Sequence, residues 1–247
     1  MKRALLLVLA ALLLVGCADD DSPAEETDTV TLPAFSNARV YWLLDGKVWP
    51  VVREVQASDD ATTAVMDDLV AGPSPQEQEE LELTTAIPAQ ATLEVSVENG
   101  VATVELAEDL STEARAQVVY TLTQFPTVES VEIDGQSYTR ADFEEQTPSV
   151  LVESPLAFEQ VTSPLRSEGT ANTFEANFAF TITDGEGDLL AENFVTATSG
   201  TGTRGTFEFS ESFTAPAGSE ITLTVFENSA EDGSRMNEVE IPLTVAP

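Results

Sequence analysis

Histidine is absent from the 247 residues and cysteine occurs once, at Cys17. Without histidine there is no Ser-His-Asp or Cys-His hydrolase and no histidine-ligated zinc site. A lone cysteine excludes an internal disulfide, and no second thiol remains for catalysis. Basic residues are scarce, ten Lys and Arg against 44 Asp and Glu. That balance argues against nucleic-acid binding, in which Lys and Arg must neutralise phosphates. It equally argues against electrostatic docking on anionic lipid headgroups. After residue 2 the only lysine is Lys47, so lysine chemistry has a single candidate. The leading apolar run, Ala4 to Val15, is shorter than the roughly 20 residues a membrane-spanning helix needs.

That run follows Lys2-Arg3 and ends in Leu14-Val15-Gly16-Cys17. A basic n-region before a short apolar h-region is the pattern of a secretory signal. The Leu-Val-Gly-Cys ending resembles a bacterial lipobox, in which the cysteine sulfur takes a diacylglycerol and becomes the mature N-terminus. The sequence therefore predicts a signal peptide over residues 1–17 and a lipoprotein acylated at Cys17, palmitate being a typical chain. Two or more acyl chains anchor a protein stably where one does not. With Lys2 and Arg3 gone, eight basic residues face the 44 acidic ones, a formal charge near −36. The acidity is spread along a chain that is 42% apolar, so it does not force disorder. Solubility or a saline environment accounts for it more simply than a cation-binding role.

Residues 18–37 carry Asp19-Asp20-Asp21, Ser22-Pro23 and Glu25-Glu26 with few large apolar side chains. They read as an acidic tether, reaching at most about 70 Å extended and about 25 Å on average. From 38 to 140 strands and helices mix. Val40 to Leu44 and Val48 to Val55 read as strands joined by an Asp45-Gly46 turn, which places Trp42 opposite Trp49. A helix capped by Ser58, Asp59 or Asp60 follows, with Ala61, Val65, Met66, Leu69 and Val70 apolar, ended by Gly72-Pro73. Leu93 to Glu98 and Val101 to Leu106 flank Asn99-Gly100, which predicts Val97 paired with Ala102, Val95 with Val104 and Leu93 with Leu106. Ser111 or Thr112 starts a second helix bearing Ala114, Val118, Leu122 and Phe125, and Val128 to Ile133 returns as a strand before Asp134-Gly135.

Residues 141–149 read as a polar linker. In 150–247 the helical signals stop. Thr173 to Thr183 alternates, with Phe174, Phe178, Phe180 and Ile182 on one side. Leu189 to Thr198, Thr206 to Phe213, Glu220 to Phe226 and Glu238 to Val245 follow between Gly, Pro, Asn and Asp clusters. Short alternating strands at this spacing predict an antiparallel β-sandwich.

Leu69-Val70-Ala71-Gly72-Pro73-Ser74 with Glu77, Thr85-Ala86-Ile87-Pro88, Asn99 to Val104, Gln117 to Pro126, then Val128, Val131 and Asp134-Gly135 together resemble the GerMN domain of bacterial envelope and spore-germination lipoproteins. Ser163-Pro164-Leu165, Gly169-Thr170-Ala171, Phe174 to Phe178, Leu223 to Glu227, Ser229-Ala230, Asp232-Gly233-Ser234, Asn237 and Ile241-Pro242 resemble the immunoglobulin-like domain of bacterial spore germination. The resemblance implies an α+β fold, a small GerMN-like sheet with two helices, followed by an all-β immunoglobulin-like sandwich. It implies a module that self-associates or docks in envelope complexes. It supplies no catalytic residues and no cofactor.

Several residue groups invite a sharper reading. Asp184-Gly185-Glu186-Gly187-Asp188 looks superficially like a calcium loop, but Leu189 stands where an EF-hand needs glycine and the distal glutamate is missing. It reads as a turn, as does Glu231-Asp232-Gly233, and no metal site is expected. Glu77, Glu79, Glu80 and Glu82 interleave only with Leu81 and Leu83, too little apolar surface to raise a carboxyl pKa for glycosidase chemistry. They read as a solvated loop. Ser199 to Gly205 is glycine-rich but opens no helix, so it is no phosphate loop and reads as a flexible connection. Trp42 and Trp49 offer a glycan-stacking platform if exposed and a core pair if covered. Tyr120 falls opposite the apolar stripe of its helix and is expected to be exposed to a partner, whereas Phe125 is expected in the core. The sequence thus predicts a non-enzymatic envelope protein, held by lipid on Cys17 at the extracytoplasmic face of the cell membrane. Its partners are envelope proteins or further copies of itself. A cell-wall glycan-binding module is the alternative, and a carboxylate-only hydrolase ranks third.

Overall fold

Strands β1 (Phe35–Leu44) and β2 (Lys47–Gln56) open the computed structural model, which describes residues 35–56, 61–106 and 109–247. The signal, Cys17, nearly all of the tether and the Ser58/Asp59/Asp60 cap lie outside the described residues. Asp45 and Gly46 both have positive φ, 50° and 75°, as a type I′ turn requires, and Trp42 sits opposite Trp49. Beyond β1 there is no further strand among the described residues, yet the outward backbone groups of Arg39, Tyr41 and Leu43 are all engaged. Leu43 exchanges both of its bonds with Thr84 at 2.9 and 2.8 Å. The remaining partners come from side chains of helix α3 (Thr112–Leu122) and the residues just after it. Gln117 donates to the Tyr41 carbonyl at 3.0 Å, and Thr121 Oγ1 accepts from the Tyr41 amide at 3.1 Å. Gln124 accepts from the Arg39 amide at 2.6 Å and donates to its carbonyl. Gln117, Thr121 and Gln124 form one helical stripe, four and three residues apart. The stripe stands in for a missing strand.

Helix α1 (Ala61–Ala71) buries Val65, Met66 and Leu69 and ends at Gly72, whose φ of 82° suits a helix terminus that a side chain would strain. Where a solvated loop was expected, helix α2 (Pro75–Glu80) follows. Ser74 caps it and Glu77 bonds back to the Ser74 amide, a capping box that Ser74-x-x-Glu77 spells out. Strands β3 (Leu93–Glu98), β4 (Val101–Leu106), β5 (Ser130–Ile133) and β6 (Gln136–Tyr138) make a sheet in that order. The expected register holds, with Leu93, Val95 and Val97 opposite Leu106, Val104 and Ala102. β4 and β5 are parallel, so α3 is their crossover.

The second half is a sandwich. Its strands are β7 (Val150–Ser154), β8 (Gln160–Val161), β9 (Leu165–Ala171), β10 (Asn177–Asp184), β11 (Leu189–Thr196), β12 (Gly205–Glu211), β13 (Glu220–Asn228) and β14 (Arg235–Val245). One sheet runs β11-β10-β13-β14-β8 and the other β12-β9-β7. Between them Phe178 meets Phe207 edge-on at 4.8 Å, and Phe180 stacks on Phe209 at 4.3 Å. A Cβ at Gly169 would lie 2.0 Å from the Leu151 carbonyl oxygen, so only glycine lets β9 pass β7 there. Phe174 departs from the expected stripe. It belongs to a 3-10 helix, Phe174–Ala176, and is 65% exposed. The Ser199–Gly205 connection, read as flexible, is stitched down: Thr201 donates to the Thr173 carbonyl at 2.9 Å and Gly202 to Asn172 at 2.9 Å. A Cβ at Gly200 would come within 2.6 Å of Ala176 and Thr173 backbone atoms, so the loop lies directly on the chain beneath it.

Residues 141–149, expected to be a polar linker, contain most of a 3-10 helix, Arg140–Gln146, with Phe143 buried against the Tyr138 ring. The two halves form one compact unit. No helix among the described residues is long and apolar enough to cross a membrane. Replacing Gln117 by Leu would orphan the Tyr41 carbonyl and the Ala86 amide, which Gln117 accepts from at 2.8 Å. The expected cost is about 2–4 kcal/mol in urea unfolding. A loss below about 1 kcal/mol would show that α3 does not hold this edge.

Candidate functional site

Charged and aromatic groups converge where the halves meet. Arg140, the first residue of its 3-10 helix, donates to Glu153 Oε1 on β7 at 2.8 Å, to Thr123 Oγ1 at 2.8 Å and to the Tyr120 carbonyl at 3.3 Å. Its guanidinium lies 4.7 Å from the Tyr120 ring centre and 5.5 Å from that of Tyr41. Tyr41 reaches across from β1 and donates its hydroxyl to the same Glu153 oxygen. Arg39 Nε donates to the Glu153 carbonyl at 2.9 Å. Burial alone would raise the Glu153 carboxyl; the Arg140 charge and the hydrogen bonds from Tyr41 and Arg140 offset this and hold it below its ordinary value. Burial, opposed by Arg140 and helped by the Glu153 charge, pushes the Tyr41 phenol well above the usual tyrosine range. Desolvation would weaken the Arg140 cation, but the Glu153 carboxylate beside it offsets this and keeps it charged. A carboxyl fixed as an anion and a phenol fixed as neutral are both far from the near-neutral pKa that general acid–base chemistry needs. The cluster is built as a joint.

A second tie flanks it. Arg204, from the loop before β12, forks onto Glu144 at 3.0 and 2.9 Å and donates to the Pro148 carbonyl at 2.8 Å. Asn172 donates to the same Glu144 at 2.8 Å. A third pair lies inside the first half: Arg53 grips Glu77 through both nitrogens at 2.7 and 2.8 Å and lies 4.6 Å over the Trp42 ring. Burial would raise Glu77, but Arg53 and the Ser74 amide bring it below its ordinary value. A planar guanidinium suits both the forked and the stacked contact, which lysine could not reproduce.

The expected site residues distribute as follows. Trp42 and Trp49 face each other across the hairpin as read, but they are 0% and 3% exposed, so neither ring offers a face to a sugar. The reason is that both faces of the hairpin are covered, Tyr41 being as buried as Trp42. Tyr120, expected at the surface, is 1% exposed and shares a 2.6 Å hydrogen bond with Thr147. Its helix is buried on nearly every side, because α3 is at once crossover and edge cover. Glu77 is buried, while Glu79, Glu80 and Glu82 remain exposed. Asp184–Asp188 is a tight turn whose Asp184 carboxylate accepts from the Glu186 and Asp188 amides at 3.0 and 2.9 Å. Among the described residues, no three carboxylates converge as a metal site would require. Sequence reasoning missed Arg140 and Glu153 altogether. Large apolar side chains do stand in solvent along β11, Phe194 at 73% and Leu189 at 57% exposure.

This architecture, an α+β module whose cross-strand edge is covered by a helix and which is locked to a β-sandwich, defines the class. Residues 39–139 match the family of sporulation and spore-germination domains, and residues 149–234 match the immunoglobulin-like domain of bacterial spore germination. The chain belongs, half by half, to these two domain families of bacterial sporulation and germination proteins. Neither is a known enzyme family. Among solved structures, the tandem GerMN domains of the sporulation protein GerM from Bacillus subtilis align at 25% identity with a TM-score of 0.34. The alignment covers 42% of this chain and 40% of that one, so the chain spans about two fifths of the tandem structure. The first GerMN domain of the same protein aligns at 19% identity and TM-score 0.31, covering 42% of this chain and 86% of that one. WR4, a C. elegans MSP family member, aligns at 15% identity and TM-score 0.24 over 40% of this chain and 98% of that one. A comparison with curated proteins finds no match.

Arg140→Met would leave Glu153 as a half-buried anion without its cation and should cost roughly 2–4 kcal/mol in urea unfolding. Because Glu153, Glu77 and Glu144 all titrate below the ordinary 4.5 when folded, their stabilisation is complete above that value. It is lost as pH falls through their lower folded values. Glu153→Gln should therefore flatten the stability curve between about pH 5 and 3 relative to wild type. Parallel curves would show that Glu153 is not the acid-sensitive tie.

Proposed function

We propose that this protein is a lipid-anchored, non-enzymatic component of the bacterial cell envelope that works by protein–protein assembly at the outer face of the membrane. The anchor is diacylglycerol on Cys17, supported by the n-region, the apolar run and Leu14-Val15-Gly16-Cys17. The observation that carries the assembly reading is the outer edge of the sandwich. β11 pairs with β10 on one side only, and it holds Phe194 and Leu189 in solvent on an otherwise acidic surface. Edge strands are usually blunted and large apolar side chains usually covered, so this edge is suited to meeting another protein. The locked joint supports the same reading, because it presents the GerMN-type and immunoglobulin-like surfaces in one fixed relation. Glycan stacking on Trp42 or Trp49 is not retained, since both rings are buried.

Crosslinking from a photoreactive residue replacing Phe194, in intact cells producing the full chain, should trap a reproducible set of envelope proteins or a second copy of the chain. Recovery of glycan fragments without protein would overturn the reading. Cys17→Ala should abolish metabolic labelling with palmitate and release the protein from membranes. Continued labelling of that variant would remove the anchor at Cys17.

A further inference from the structure

The edges of the two sandwich sheets are unequally protected. β8 is two residues long, β12 carries Glu208 and Glu211, and β7 is held by Arg39, which bonds the Glu153 carbonyl at 2.9 Å. β11 has eight residues, no proline, and no strand on its outer side among the described residues. From Leu189 to Thr203 its one charge is Glu192, and the neighbouring β10 carries none from Asn177 to Thr183. The Ala197 amide bonds inward to the Ala176 carbonyl, and the Thr198 amide bonds outward to Thr206. Backbone groups alternate sides along a strand, so those of Glu192, Phe194 and Thr196 point away from β10. The Phe194 amide is met by the adjacent side chain, Asn193 Oδ1 at 2.9 Å, a contact that an incoming carbonyl can replace. Phe194 stands opposite Ala179, and Ala179 opposite Phe226, whose ring lies 4.0 Å from the Arg235 guanidinium. An apolar row thus crosses the outer face of the sheet and ends in solvent at Phe194, which is 73% exposed.

We infer that the partner at this edge is a second copy of the chain, its β11 pairing antiparallel with this one about a two-fold axis at Phe194. A two-fold closes the pair, so that neither copy keeps an open edge. Outward-pointing residues exchange the hydrogen bonds, which restricts the register to a few choices. Centring it on Glu192 would set two carboxylates face to face. Centring it on Phe194 sets each Glu192 opposite a Thr196 and the two phenyl rings side by side. The apolar row then runs unbroken from Phe226 of one copy to that of the other. A basic partner strand would find a single carboxylate here to pair with, whereas an uncharged strand loses nothing. The 44 acidic residues against ten basic ones make two copies repel at long range, and physiological salt screens this beyond about 8 Å. At contact the uncharged edge decides. The inference rests on the assembly reading and deepens it by naming what occupies its edge.

Membranes from cells producing the full chain with Phe194→Cys are treated with the thiol oxidant diamide and run on non-reducing gels. Residues paired in this way have Cα atoms about 5.5 Å apart, within disulfide reach, so a covalent dimer is expected. Glu192→Cys lies about 13 Å along the strand from its copy and should give about tenfold less dimer or lower. Glu192→Cys combined with Thr196→Cys, which keeps Phe194, should restore it. Adding Thr196→Pro to Phe194→Cys removes an outward amide without touching the β10 ladder and should cut the yield about tenfold. Purified in non-ionic detergent, the Phe194→Cys chain should dimerise more readily in about 0.5 M salt than in about 0.05 M, because the copies repel. Equal yields from Phe194→Cys, Glu192→Cys and Glu94→Cys on β3 would reduce the crosslink to collision and overturn the inference. Absence of dimer from both Phe194→Cys and the Glu192→Cys, Thr196→Cys pair would overturn it too, as would a yield that falls with salt. Circular dichroism melts establish that each variant is folded. If the photoreactive residue at 194 traps other envelope proteins while the cysteine variants stay monomeric, the second-copy inference falls and the assembly reading stands; glycan fragments without protein would sink both.

Discussion

An unpaired strand edge is the constraint around which the first half is arranged. β1 has one strand partner, and its other edge exposes amides and carbonyls that cannot be buried without hydrogen bonds. The chain meets this need with side chains rather than a third strand. Gln117, Thr121 and Gln124 deliver two donors and two acceptors to Arg39 and Tyr41, and Thr84 completes the row at Leu43. Once α3 is fixed against β1, the crossover from β4 to β5 is fixed too, and the two sheets of the half share one core. The buried amide of Gln117 also receives the Ala86 amide, tying the segment before β3 to the same helix.

The joint between the halves follows from the same placement. Tyr41 and Tyr120 lie with ring centres 5.3 Å apart because β1 and α3 are adjacent, and together they make a slot for the Arg140 guanidinium. Arg140 would be costly there without an anion, and Glu153 supplies one from the first strand of the sandwich. Removing either charge leaves the other poorly solvated, so the two halves depend on each other for electrostatic reasons. Arg204 and Glu144 repeat the arrangement in a more exposed setting.

Much of the fold was legible where local chemistry leaves few choices. Asp45-Gly46, Asn99-Gly100 and Asp134-Gly135 all require positive φ at both positions, and all three are turns with both residues there. The registers of the first two hairpins follow directly. The site was less legible. A glutamine or threonine on a helix reads as a solvated face, so the polar stripe of α3 passed unnoticed. The available signal was the absence of any charge from Ala116 to Pro126, unusual in so acidic a chain and consistent with a helix covered on all sides. Tyr120 was misplaced for that reason. The tryptophans were placed correctly relative to each other and wrongly relative to solvent, because register says nothing about what covers a hairpin. Strands β7 and β9 escaped because β7 is a nearly continuous apolar run, and the inward positions of β9 include Ser167 and Gly169 rather than large apolar residues.

The hydrogen bonds on the two edges of β1 also have a mechanical meaning. A load directed along β1 is met by hydrogen bonds on both of its edges. The bonds from β2 on one side and from α3 on the other lie across it, so such a load would shear them together rather than peel them one at a time. Arg39, bonded to the Glu153 carbonyl, would pass part of that load straight into the sandwich. A strand clamped on both sides in this way is a firm handle on the whole molecule.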